Sequence, residues 1–209
     1  MKRFCLLMLS AFFFAVLPAQ AQTPVKKILV LGDSLSAGYN LPADQAFPAV
    51  LQAALKARGH NISVINGGVS GDTSTGGLAR LDWALGDGGD AVIVELGAND
   101  MLRGINPAET KKALDQILSK LAERKLPVLL AGMIAAPGMG KQYEDQFNAL
   151  YGVLADKYGA LFYPFFLDGV ANERSLLLSD GMHPNKQGVE EIVRRILPKV
   201  TELVDRMGK

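Results

Sequence analysis

The chain has two histidines, so any mechanism that moves a proton through an imidazole has only these to draw on. His183 stands three residues after Asp180 in Ser179-Asp180-Gly181-Met182-His183-Pro184. On a loop, that spacing lets the carboxylate reach the ring, fix its tautomer and stabilise the imidazolium that forms when the ring takes a proton. A purely structural turn stapling the next helix would show the same spacing. His60, between Gly59 and Asn61, falls in a helix-to-strand connection and reads as a surface loop residue. Ser34 is the candidate nucleophile, in Gly32-Asp33-Ser34-Leu35-Ser36 directly after an apolar run. There its hydroxyl would be accessible and its N–H free at the start of a helical turn, although Gly-Asp-Ser is also an ordinary turn sequence. Gly97-Ala98-Asn99-Asp100 offers the Asn99 amide as an oxyanion donor, and the glycine-rich stretch 66–73 offers the Gly71 N–H. Both segments also have the composition of simple connections. Taken together they supply a nucleophile, a base, its orienter and amide donors, which is what acyl transfer requires.

These residues need a scaffold that brings distant segments to one place. Apolar runs at 28–31, 62–65, 91–96, 128–133 and 161–163 read as buried strands, separated by longer amphipathic stretches. A helix starting near Asp44 places Phe47, Val50, Leu51, Ala54 and Leu55 on one face and ends at Gly59. Residues 73–85 form another, stopped by the glycines at 86–89. Asn106 caps a third, with Pro107 in its first turn, Glu109 as a capping carboxylate and Leu114, Ile117, Leu118 and Leu121 as its buried stripe. Residues 143–158 form a fourth. The last helix begins near Lys186, buries Val189, Ile192, Val193, Ile196 and Val200, and bends at Pro198. The pattern predicts an α/β fold: a three-layer α/β/α sandwich of flavodoxin-like kind with a five-stranded parallel sheet. In such sheets ligands bind beyond the carboxyl ends of the strands, and Ser34, Gly71, Asn99 and His183 each follow a different strand at that edge.

The ends and composition narrow the function classes. Lys2 and Arg3, the apolar run 4–17 and the small residues of Ala19-Gln20-Ala21 read as an export signal cut after Ala21, leaving one domain over 22–209. This predicts a periplasmic or secreted protein without a stable membrane anchor. The signal carries Cys5, the only cysteine, which lies too near the start for lipid attachment. The remainder therefore has no internal disulfide and no thiolate chemistry. A formal net charge of +1 over 209 residues, with no long run of either sign, gives no support to a nucleic-acid or anionic-membrane surface. No H-E-x-x-H or clustered histidines offer a metal site, and no cofactor is expected. Gly86-Asp87-Gly88-Gly89-Asp90-Ala91 precedes a strand instead of following one, unlike a dinucleotide fingerprint. Gly140-Lys141 lacks the remaining P-loop residues. No G-x-S-x-G elbow surrounds Ser34.

Residues 32–39 (Gly-Asp-Ser-Leu-Ser-Ala-Gly-Tyr), 69–74 (Val-Ser-Gly-Asp-Thr-Ser), 97–100 and 180–184 resemble, in this order, the four sequence blocks of the SGNH (GDSL-like) hydrolases. Within that family the chain is most similar to bacterial thioesterase I-like arylesterases, also described as lysophospholipases. Ala98 stands where close relatives often have glycine. The resemblance implies Ser34, Asp180 and His183 as catalytic residues, and an oxyanion hole of the Ser34 and Gly71 N–H groups with the Asn99 side chain. It also implies that the loop at 102–105 closes over an acyl chain. The bordering loops 101–105 and 134–140 are small and apolar, so Leu102, Ile105, Ile134 and Pro137 suit an acyl or aryl group better than a sugar. The expected partner is a small-molecule acyl ester or thioester, lysophospholipids included, acted on by a monomer. The rival enzyme reading is an envelope polysaccharide O-acetylesterase with the same triad. A non-catalytic periplasmic binding module is the rival of another class.

Overall fold

The computed structural model describes residues 25–86 and 88–207, so the proposed signal at 1–21 lies outside the described residues. Five parallel strands form one sheet: β1 (Lys26–Gly32), β2 (Ile62–Gly68), β3 (Ala91–Glu95), β4 (Val128–Ala131) and β5 (Leu161–Tyr163), in the order β2-β1-β3-β4-β5. Residues 28–31, 91–94 and 128–131 are buried, as expected where helices cover both faces. The helices are α1 (Ser34–Ala37), α2 (Phe47–Ala57), α3 (Ser74–Gly86), α4 (Ala98–Leu102), α5 (Pro107–Glu123), α6 (Lys141–Tyr158) and α7 (Lys186–Arg206). α2 and α7 pack together on one face, while α3, α5 and α6 form the other layer. Among the described residues no helix is long and apolar enough to cross a membrane.

Local chemistry explains the helix ends. Asn106 Oδ1 accepts the Ala108 N–H at 2.9 Å to start α5, and Asn185 Oδ1 accepts the Gly188 N–H at 3.0 Å to start α7. The apolar stripe of α5 (Leu114, Ile117, Leu118, Leu121) is buried, each side chain contributing about 1.5–3 kcal/mol by leaving water. Among the boundaries that differ from the sequence expectation, three have a visible cause. The segment at Asp44 is a 3-10 turn, and α2 begins at Phe47 after an extended Ala46, with Pro48 in the first turn where a missing N–H is harmless. β2 runs on to Gly68, because Asn66, Gly67 and Gly68 pair with Val30, Leu31 and Gly32. β4 stops at Ala131, where Gly132 turns its N–H to the Tyr163 carbonyl at 2.8 Å. α7 remains helical through Pro198.

The register levels the working edge. Gly32 at the end of β1 lies opposite Gly68 of β2 and Glu95 of β3, so the loops that follow emerge side by side. Strand order changes direction around β1 and β3, which is where such sheets open a crevice. Beneath that crevice two acids are fully buried. Glu95 Oε2 accepts the Ser36 hydroxyl at 2.7 Å and the Asp33 N–H at 3.4 Å, while Oε1 has no hydrogen-bond partner among the described residues. Asp33 accepts the Leu35 N–H at 2.9 Å and the Asn99 amide at 3.0 Å. Loss of hydration pushes Asp33 up to about 6 and Glu95 well above the usual carboxylate range, Glu95 being raised further by Asp33. Asp33, with a donor on each oxygen, gives up its proton more readily than Glu95.

A folded-state pKa above the unfolded value means that the native protein holds a proton the unfolded chain gives up. Stability therefore falls as pH rises past the ordinary Glu value of 4.5. The slope from one such group is at most about 1.4 kcal/mol per pH unit. Denaturant unfolding of Glu95→Gln between about pH 5 and pH 8 should show a shallower decline than the parent. Parallel declines would mean that Glu95 is ionised in the folded protein.

Candidate active site

Ser34 is the first residue of α1, placed there because β1 ends at Gly32 and the Asp33 carboxylate caps the turn through Leu35 N–H. His183 arrives from the other end of the chain. Its loop is folded back by the Leu178 N–H to His183 carbonyl bond (2.8 Å) and by an antiparallel bridge between Leu177 and Pro184. Arg174 secures the same loop, donating to the Leu178 and Ser179 carbonyls at 2.7 and 2.9 Å. His183 Nε2 lies 2.9 Å from Ser34 Oγ, and Nδ1 lies 2.7 Å from Asp180 Oδ2. With Nδ1–H donating to the carboxylate, Nε2 presents its lone pair to the Ser34 hydroxyl. Asp180 Oδ1 also accepts the N–H groups of Met182 (2.9 Å) and His183 (3.1 Å). The Met182 N–H is the largest cause holding its carboxyl at about 2, so Asp180 is an anion at any working pH. The Tyr39 ring lies against the imidazole, centroids 4.3 Å apart.

Gly71 follows β2 with φ +85, a conformation that suits glycine. Among the described residues its N–H and that of Ser34 have no hydrogen-bond acceptor. The close approach expected of this glycine stretch belongs partly to the protein itself, since a Cβ on Gly68 would strike the Ala37 N–H and lie 2.9 Å from the Asp33 carbonyl. Asn99 is the second residue of α4, half-buried, its Nδ2 held by Asp33 at 3.0 Å. Ala98 opens α4 and packs against the core, so its methyl group is accommodated. Asp100 is buried and accepts Ser74 N–H (2.7 Å), Ser74 Oγ–H (2.5 Å) and Thr110 Oγ1–H (3.1 Å). It thereby locks α3, α4 and α5 around the Gly71 and Asn99 loops. His60 precedes β2 and so stands at the opposite, amino end of the strands.

Leu102 and Ile134 are 59% and 47% exposed, Pro137 is exposed and Ile105 is half-buried with its carbonyl taken by Tyr143 Oη at 3.0 Å. The two loops touch where the Ala136 N–H meets Met101 Sδ at 3.0 Å. A cavity of about 570 Å³ opens beyond them, lined by Gly104, Met139 and the first turns of α5 and α6, and it contains none of Ser34, Asp180 and His183. No group of three or more His, Cys, Asp or Glu among the described residues is arranged to hold a metal ion. Reading single motifs missed Asp33, Glu95, Asp100 and Arg80. The only available signal was their place within or beside the motifs, since buried partnership is not written in spacing.

The chain matches the GDSL-like Lipase/Acylhydrolase family over residues 30–190. It is 38% identical to an arylesterase of Vibrio mimicus, the alignment covering 92% of this chain and 98% of the relative. It is 36% identical to thioesterase 1/protease 1/lysophospholipase L1 of Escherichia coli (strain K12), covering 93% and 92% respectively. Among solved structures, AlinE4, an esterase of the SGNH-hydrolase family, superposes with a TM-score of 0.74 at 43% identity, covering 87% of this chain and 98% of that one. With four motif blocks in place on the sheet edge and relatives aligned along nearly their whole length, the chain belongs to the GDSL-like lipase/acylhydrolase (SGNH hydrolase) family.

Proposed function

We propose that this protein is a serine esterase that hydrolyses aryl and short-to-medium acyl esters, with acyl thioesters and lysophospholipids as further substrates. The observation that carries it is the unbroken relay from Asp180 to His183 (2.7 Å) to Ser34 (2.9 Å). His183 Nε2 takes the Ser34 proton as Oγ attacks the acyl carbon. The carbonyl oxygen becomes an oxyanion held by Ser34 N–H, Gly71 N–H and the Asn99 amide. His183 then protonates the leaving alcohol, phenol or thiol, and an acyl-Ser34 ester remains. Water attacks this ester by the same steps in reverse, releasing the acid and restoring the serine. Asp180 stays an anion throughout and orients the ring.

The exposed apolar side chains of Leu102 and Ile134, with Pro137 and Ile105 beside them, support an acyl or aryl group as the substrate portion bound next to Ser34. The enzyme works as a monomer without a cofactor, in the periplasm or outside the cell after loss of residues 1–21.

With p-nitrophenyl butyrate, Ser34→Ala should lose turnover by on the order of 10⁴-fold or more. Asn99→Ala should lose about a hundred- to thousand-fold in kcat with little change in KM. Full activity in a folded Asn99→Ala protein would remove that amide from the oxyanion hole. A comparison of p-nitrophenyl butyrate and octanoate with acetylated xylan should favour the acyl esters. Preference for the acetylated polysaccharide would overturn the substrate assignment and leave the serine mechanism standing.

A further inference from the structure

Arg80 lies midway along α3, yet all its bonds go to the sheet edge. Its Nη2 donates to the Gly32 carbonyl at 2.8 Å, its Nη1 to the Gly67 carbonyl at 2.6 Å, and its Nε to Asp72 Oδ2 at 2.5 Å. The two side chains of the ion pair are only 16% and 19% exposed. Each acceptor is next to a part of the candidate site. The Gly32 carbonyl shares its peptide with the Asp33 N–H, one residue before Ser34, and also accepts the Val69 N–H at 3.1 Å. Gly67 is the penultimate residue of β2, just ahead of the Gly71 turn, and Asp72 follows Gly71 directly.

Gly71 sits in a turn closed by the Asp72 N–H donating to the Val69 carbonyl at 3.1 Å, so its orientation depends on how the two ends of that turn are held. Among the described residues, the only atom near its missing Cβ is Arg103 Nη2 at 3.7 Å, and that same exposed guanidinium donates to the Gly71 carbonyl at 2.6 Å. A glycine at φ +85 has wide backbone freedom, so the direction of its N–H is set by the residues that flank it. On this evidence, which rests on the esterase reading above, we propose that Arg80 is a positioning residue for the oxyanion hole. It ties the β1 end that carries Ser34 to the β2 loop that carries Gly71, so that their two N–H groups converge. Arginine suits the task because one planar fork serves three acceptors at fixed angles. Lysine would supply the charge without the fork.

The test measures kcat and KM on p-nitrophenyl butyrate for the parent, Ser34→Ala, Arg80→Lys and Arg80→Ala, with thermal unfolding of each. Both Arg80 variants should lose about tenfold to a thousandfold in kcat, the larger loss in alanine, with KM within about threefold of the parent. Millimolar methylguanidinium should recover part of the Arg80→Ala loss and leave the parent unchanged. Arg80→Lys decides the matter if the alanine variant does not fold. Parental kcat in a folded Arg80 variant would overturn the assignment, as would a loss expressed in KM and deaf to methylguanidinium. Absence of Ser34-dependent turnover in the parent would instead overturn the esterase reading, and this inference with it.

Discussion

Ser34 Oγ and His183 Nε2 meet at 2.9 Å although 149 residues separate them, and the rest of the molecule can be understood from what that meeting demands. Neither side chain comes from a long helix or from within a strand. Ser34 stands at the first turn beyond β1, and His183 on a loop bent back by Arg174, by the Leu178–His183 backbone bond and by the Leu177–Pro184 bridge. A chemical hydrogen bond between two such segments requires a rigid datum, and the parallel sheet is that datum. Its buried central strands set where β1 ends, and α7, capped by Asn185 and packed on the sheet through Val189, Ile192 and Val193, sets where the loop bearing His183 must return.

The polar groups beneath this contact carry a cost that the site itself explains. Burying Asp33 and Glu95 side by side is unfavourable, as their upward pKa displacement records. In exchange, Asp33 caps the turn of Ser34 and holds the Asn99 amide, while Glu95 anchors Ser36 and the Asp33 N–H. Asp100 and Arg80 extend the arrangement sideways to α3 and α5. The Ser34 turn and the Asn99 amide thus rest on Asp33, whose own N–H is held by buried Glu95, which is the condition for donors that need no reorganisation when charge develops.

Much of this was legible in the sequence, for identifiable reasons. Apolar runs such as 28–31 and 91–94 announce strands covered on both faces, and the caps at Asn106 and Asn185 mark helix starts through local chemistry. The order of the Ser34, Gly71, Asn99 and Asp180–His183 blocks was legible because each follows a strand, and parallel strands bring their carboxyl ends together. What could not be read was set by long-range partnership. β2 gains its last residues, Asn66 to Gly68, from pairing with β1, which local propensity does not encode. Nothing local in the sequence marks Glu95, at the end of a strand, or Arg80, along a helix, as supports of the site. Their partners, Ser36 and the Asp33 N–H for Glu95, and Gly32, Gly67 and Asp72 for Arg80, come within reach only once the fold has closed.

The central claim is that Ser34 is the nucleophile activated by His183. The most direct measurement is to incubate the purified protein with a fluorophosphonate, weigh it intact and map the adduct by peptide mass spectrometry. The account predicts one adduct per chain, on Ser34, formed far more slowly when His183 is replaced by alanine. An adduct on another residue, or a folded protein that takes up none while hydrolysing esters, would contradict it.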